Sequence, residues 1–186
     1  MRREASRHTL KEGTVVTIRS LSPGDGQAVV DFMQDVYTTS KYMVKYPDEW
    51  TITARAEAAY IRGALEDPQR ILLGVFHKGS LVAMGDVFEV SKRSRLRHRG
   101  SLSLAVALPY EGRGIGSLLV RIFNEAARKI GFEQVELTVV TQNKAAVHIY
   151  EKHGFLPYGT LKRGMKNRDG SYWDLLRMVK ELSSVY

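Results

Sequence analysis

The chain contains no cysteine, which excludes disulfides, thiolate metal sites and a cysteine nucleophile, and nothing then demands an oxidising compartment. It has no apolar run approaching the roughly 18 residues of a membrane-spanning helix. Its start, Met1-Arg2-Arg3-Glu4, is not followed by the apolar core of a signal peptide. A cytoplasmic protein with no membrane partner is therefore expected. No cluster of histidines and acidic residues has metal-ligand spacing, no serine triad is legible, and no repeat or low-complexity linker divides the chain.

What is present fits one folded domain. Of 186 residues, 44% are hydrophobic and 26% charged, enough apolar surface to build a core and far from the composition of a disordered chain. We expect residues 1–13 to form a basic tail and 14–186 a single domain. The formal net charge of +8 implies an anionic partner. The basic residues gather in the tail (Arg2, Arg3, Arg7, Lys11), in Lys92 to Arg99 and around Lys162 to Arg168. These clusters lack interleaved aromatics, so a nucleic-acid partner is not expected.

Along the chain, Val15 to Arg19 alternates like a strand, and Ser22-Pro23-Gly24-Asp25 supplies the start of a helix reaching Tyr37. Thr38 to Trp50 is rich in aromatics without clear periodicity and is a candidate pocket wall. In it, Asp48 and Glu49 would favour a cationic ligand. Thr53 to Glu66 reads as a second helix ended by Asp67-Pro68. Ile71 to His77 and Leu81 to Val90 form a hairpin over Lys78-Gly79-Ser80, and Gly100 to Leu108 is a further strand. Gly112 to Ile130 is a helix stopped by Gly131, Gln134 to Val140 a strand, and Asn143 to His153 a helix stopped by Gly154. Tyr158 to Met165 and Tyr172 to Val179 close the chain as a hairpin. The order predicts an α/β (α+β) domain: a mixed sheet with four helices.

Two stretches carry chemistry. In Leu104-Ala105-Val106-Ala107-Leu108-Pro109-Tyr110-Glu111-Gly112-Arg113-Gly114-Ile115-Gly116-Ser117, a strand enters a turn of three alternating glycines that opens an amphipathic helix. Free amides and the positive end of the helix dipole converge there, which suits a pyrophosphate. A Walker loop fails, because Gly116 is followed by Ser117-Leu118, and the Rossmann glycine spacing fails as well. Glycines that only make a tight turn would satisfy the same pattern. The second stretch runs from Val135 through Asn143, Ala146 and Tyr150 to Glu151-Lys152-His153-Gly154-Phe155. Here Asn143 is placed to cap a helix on which Ala146, Val147 and Tyr150 share a face. That face can meet the glycine turn only if the two strands are neighbours.

Together these stretches resemble the GNAT superfamily of acyl-CoA N-acyltransferases. Gly112-Arg113-Gly114-Ile115-Gly116 is similar to its pyrophosphate loop, and Asn143, Ala146, Tyr150, Glu151, Lys152, Gly154 and Phe155 match its second signature. The resemblance extends from about Val15 to Val179. It implies a mostly antiparallel central sheet with a splayed parallel strand pair, here Ser101 to Leu108 and Gln134 to Val140, and acetyl-CoA as co-substrate. Residue by residue, it implies that the backbone of Leu104, Ala105 and Val106 pairs with pantetheine. The amides of Gly112, Arg113, Gly114, Ile115, Gly116 and Ser117 would then hold the pyrophosphate. Asn143 would contact pantetheine or position a water, and Tyr150 would protonate the departing thiolate. A packed core tyrosine is the alternative at Tyr150, and at Asn143 a helix cap can coexist with the functional role.

Two features depart from the family pattern. Glu111 stands where many members have Gln or Arg, and a carboxylate beside a pyrophosphate is awkward unless it turns outward or pairs with Arg113. Thr138 stands where ribosomal-protein alanine acetyltransferases have a glutamate base. Glu136, two residues earlier on the same strand face, is the first candidate for the base, ahead of Glu111, Glu89 and His98; His148 reads as a surface or packed residue. The resemblance implies an N-acetyltransferase acting directly on a primary amine of a small molecule, whether amino acid or analogue, polyamine or antibiotic. A protein N-terminus or lysine is the alternative acceptor, and a silent acyl-CoA binder the non-enzymatic one. By analogy the protein can be a homodimer, which no feature of the sequence specifies.

Overall fold

A computed structural model describes residues 1–182. The strands are β1 (Ser6–Thr9), β2 (Val15–Ser20), β3 (Arg70–His77), β4 (Ser80–Glu89), β5 (Arg99–Val106), β6 (Gln134–Val140), β7 (Leu156–Lys166) and β8 (Tyr172–Glu181). The helices are α1 (Gly26–Thr39), α2 (Ala54–Glu66), α3 (Ile115–Ile130) and α4 (Lys144–Lys152). One 8-stranded sheet has the order β1-β2-β3-β4-β5-β6-β8-β7, and β5 with β6 is its parallel pair. This is the mixed, mostly antiparallel architecture with four helices that the sequence predicts. Among the described residues, no helix is long and apolar enough to cross a membrane.

The first 13 residues correct the expectation of a tail. Ser6–Thr9 pairs antiparallel with β2, from Ser6 opposite Ile18 to Thr9 opposite Val15, and Leu10 is buried in the main core. These residues extend the sheet edge. The first helix also begins later than predicted: Pro23–Asp25 forms a 3-10 turn before α1. Asp25 accepts hydrogen bonds from the Ser22 amide and hydroxyl and from Arg19, holding that turn tight.

Period-two alternation sends the strand side chains to two layers. Ile71, Leu73 and Val75 join Phe123, Leu119 and Ile115 of α3 in the larger core, whereas Leu72 meets Val29 of α1 and Ile61 of α2 on the opposite face. The apolar stripe of α3 predicts this burial, and Gly131, at φ 98°, ends the helix in the left-handed conformation.

The feature that positions the site is where β5 and β6 part. They are in register only over three rungs, Arg99 with Gln134, Gly100 with Val135 and Ser101 with Glu136. Beyond Ser101, β5 continues to pair with β4 as far as Val106, while β6 continues against β8. The two strands therefore open into a V.

Candidate active site

The V exposes one edge of β5. Leu104, Ala105 and Val106 pair with Gly85, Met84 and Ala83 on the β4 side and, among the described residues, have no strand partner on the other, leaving the peptide groups that face away from β4 free to pair with an extended ligand.

The chain then passes through the glycine turn into α3. Gly112 (φ 74°) and Gly114 (φ 90°) take left-handed backbone conformations, and a Cβ built on either would meet no atom within 4 Å. Conformation rather than crowding therefore selects glycine at both. Gly116 has a different reason: its Cβ would lie 3.3 Å from Ile149 Cδ1, so its small size lets α4 dock on the start of α3. Among the described residues, the amides of 112–117 donate to no backbone carbonyl, and the first turn-closing bond runs from the Leu118 amide to Gly114. They are the unpaired donors of a helix N-terminus, where an anion is favoured.

Arg113 stands 3.7 Å from Glu12 with its guanidinium over the Tyr110 ring. Its carboxylate partner is thus Glu12 rather than Glu111, and Glu111 is exposed. Ser117 Oγ hydrogen-bonds His153 Nε2 at 2.7 Å, a second link between α3 and the end of α4. Because β5 and β6 are neighbours, the glycine turn and the Tyr150 helix do meet.

Asn143 caps α4, its Oδ1 accepting from the Ala146 amide at 3.1 Å. Tyr150 is 7% exposed and sits edge-on to Phe155 at 5.8 Å between ring centroids. Burial pushes its phenol up to about 12, so it is a protonated donor throughout the neutral range.

Glu136 lies at the last paired rung of the V, its carboxylate 2.5 Å from Arg99. The ion pair commits that carboxylate to Arg99 rather than to a ligand in the V. Glu89 faces Arg97 at 4.0 Å, and His148 is exposed. None of the proposed bases Glu136, Glu111, Glu89 or His98 lines the adjoining cavity.

That cavity, of about 520 Å³, opens between α1, α2 and β4–β5, and Leu104 and Ala105 form part of its wall. The aromatic segment supplies Met43, Val44 and Trp50, as the sequence suggested, and Ile52 follows just beyond it. Trp50 is pinned by donating Nε1–H to the Val30 carbonyl at 3.2 Å and packs on Tyr37 at 5.4 Å.

The acidic residues of the wall are not the expected pair. Asp48 turns outward to Arg168, and Glu49 accepts from the Tyr46 amide. In their place stand Glu57 of α2 and Asp86 of β4, 6% and 4% exposed. Asp86 is saturated by Arg70 and by the Ser103 hydroxyl at 2.6 Å. Glu57 receives no hydrogen bond among the described residues, and burial in this apolar surrounding raises its pKa, opposed only by the more distant charge of Arg70. Both had a sequence signal that we did not use. Glu57 shares the buried stripe of α2 with Ile61 and Ala64, and Asp86 interrupts an otherwise apolar strand.

The family model described as Acetyltransferase (GNAT) family matches residues 31–155. The L-amino acid N-acetyltransferase AaaT of Escherichia coli is 31% identical over 93 residues, half of this chain and 57% of its own length. The uncharacterized N-acetyltransferase YobR of Bacillus subtilis is 32% identical over 90 residues, 48% of this chain and 34% of its own. The chain thus spans well under two thirds of either relative. The crystal structure of an acetyltransferase of the GNAT family from Streptococcus pneumoniae superposes with a TM-score of 0.85 at 29% identity, covering 89% of this chain and 99% of that one.

Proposed function

The chain belongs to the GNAT acetyltransferase family, and on that premise we propose that it moves the acetyl group of acetyl-CoA to the primary amine of a small molecule. The observation that carries this reading is an adjacency: the free edge at Leu104 and Ala105 is also a wall of the half-open 520 Å³ cavity. A cavity of that size suits a small ligand.

In this reading, pantetheine pairs with the β5 edge at Leu104, Ala105 and Val106, and the pyrophosphate rests on the amides of Gly112 to Ser117. Asn143, already the cap of α4, orders the end of the V. The neutral amine attacks the thioester carbonyl, a C–N bond forms and the C–S bond breaks. The thiolate sulfur takes the Tyr150 hydroxyl proton, and the amine's proton passes to a carboxylate. Glu57 is better suited to that last step than Glu136. Burial without hydrogen-bond donors raises the pKa of Glu57, whereas the Glu136 carboxylate is paired with Arg99 and does not line the cavity.

The test is thiol release from acetyl-CoA by the purified protein, with amine panels of several classes. Tyr150→Phe should lower kcat by about 10²–10⁴-fold, the usual worth of a placed proton donor, with little change in the KM for acetyl-CoA. No thiol release with any amine, despite acetyl-CoA binding by calorimetry, would overturn the reading.

A further inference from the structure

Resting on the acetyl-transfer reading, we infer that the acceptor is an apolar monoamine without a carboxylate, its ammonium received by Glu57 and its body by the Trp50 wall. The charges of the cavity decide this. No Lys, Arg or His lines it. Of the cations beside it, Arg70 is committed to Asp86 and the Tyr60 hydroxyl, and Lys45 stacks over the Trp50 ring at 5.3 Å. With Arg70 and Asp86 offsetting each other, one carboxylate, that of Glu57, is left with no donor.

A single ammonium fits that group. It supplies an opposite charge and hydrogen bonds to a cavity-facing carboxylate that receives none from the described residues. An amino acid presents the same ammonium but adds a carboxylate with no cation to meet it, beside Glu57 and Asp86. Polyamines fail for the complementary reason, since their further ammonium groups would be desolvated among Val29, Met33, Val44, Ile52 and Leu72. Each mismatch leaves a buried charge unpaired, the kind of fault that sites use to reject near-analogues strongly.

The experiment uses the full chain and matched acceptors: phenethylamine against phenylalanine, tryptamine against tryptophan, with spermidine and an N-terminal peptide alongside. Thiol release should favour each amine over its amino acid by about 100-fold or more in kcat/KM. In Glu57→Gln that preference should shrink to within about tenfold. Because the wild-type pairs alone carry the comparison, failure of the variant to fold would not remove the test. Turnover of amino acids, spermidine or peptide equal to or above that of the amines would overturn this inference and leave acetyl transfer standing. No thiol release with any acceptor, despite acetyl-CoA binding, would overturn both.

Discussion

At the scale of single residues, two groups owe their chemistry to burial, with opposite uses. The Tyr150 phenol, pushed up to about 12, holds its proton until a base stronger than water appears beside it, and a departing thiolate is such a base. The same displacement makes stability depend on pH with a definite sign. An unfolded tyrosine ionises near 10 and the folded one only near 12, so folding is unaffected below pH 10 and weakens as pH rises from 10 towards 12. Two units correspond to roughly 3 kcal/mol, and Tyr150→Phe should remove that alkaline loss in thermal melts recorded across pH 9–12. Since the ring stacks edge-on to Phe155, a phenylalanine keeps the packing and the neutral-pH Tm should stay within a few degrees. Glu57 and Glu136 form the second comparison. Glu136→Gln removes a carboxylate already neutralised by Arg99, and kcat should change by less than about fivefold. Glu57→Gln, by contrast, should lower kcat/KM for a preferred amine by about 10²-fold or more; steady-state kinetics on the two variants decides between them.

At the scale of elements, the glycine turn separates two kinds of constraint that look identical in sequence. Gly114→Ala places a Cβ in open space but on a left-handed backbone, a cost of about 1–2 kcal/mol or a few degrees of Tm in a chain of this size. The turn can relieve that strain only by turning its amides away, so the KM for acetyl-CoA should rise by about tenfold. Gly116→Ala meets only the flexible end of Ile149 and should cost less stability. Calorimetric melts and acetyl-CoA titrations of the two variants check both statements. Elements of this kind were legible because their signals are local: the apolar stripe of α3, Asn143 as a cap and the Lys78-Gly79 hairpin turn all act within a few residues. Strand β1 was not legible, because Ser6-Arg7-His8-Thr9 has no apolar alternation and takes its strand character from pairing with β2. Glu57 was passed over for a related reason. One carboxylate in the stripe Glu57, Ile61, Ala64 reads as a tolerated surface residue until α1, β4 and the Trp50 segment close around it.

At the scale of the whole molecule, the sheet is two halves joined by a short seam. β1 to β5 form one antiparallel run and β6 to β8 another, and only the three rungs from Arg99 to Ser101 connect them by strand pairing. Beyond the seam the halves are held by α3, α4 and the shared core. In the proposed reading, a ligand whose backbone-like chain pairs with β5 would add hydrogen bonds where the protein has none, and its pyrophosphate would tie the start of α3 to the same site. Binding to the folded state alone stabilises by about 2.7 kcal/mol at a hundredfold excess over Kd, which corresponds to a rise in Tm of roughly 5–10 °C. The location of the gain is more diagnostic than its size. Hydrogen exchange with acetyl-CoA should slow at the amides of Leu104, Val106 and residues 112–117, which lack partners on the open side of the V or at the helix start, and should not slow in β7. Uniform slowing across the sheet would mean that the ligand acts on global stability alone, and the V would lose its role as the acetyl-CoA cradle. Because the chain carries a net +8 and the ligand several negative charges, the Tm gain at a fixed acetyl-CoA concentration should also shrink as salt rises from 0.05 M to about 0.5 M. A gain indifferent to salt would instead place the affinity in pantetheine pairing with β5.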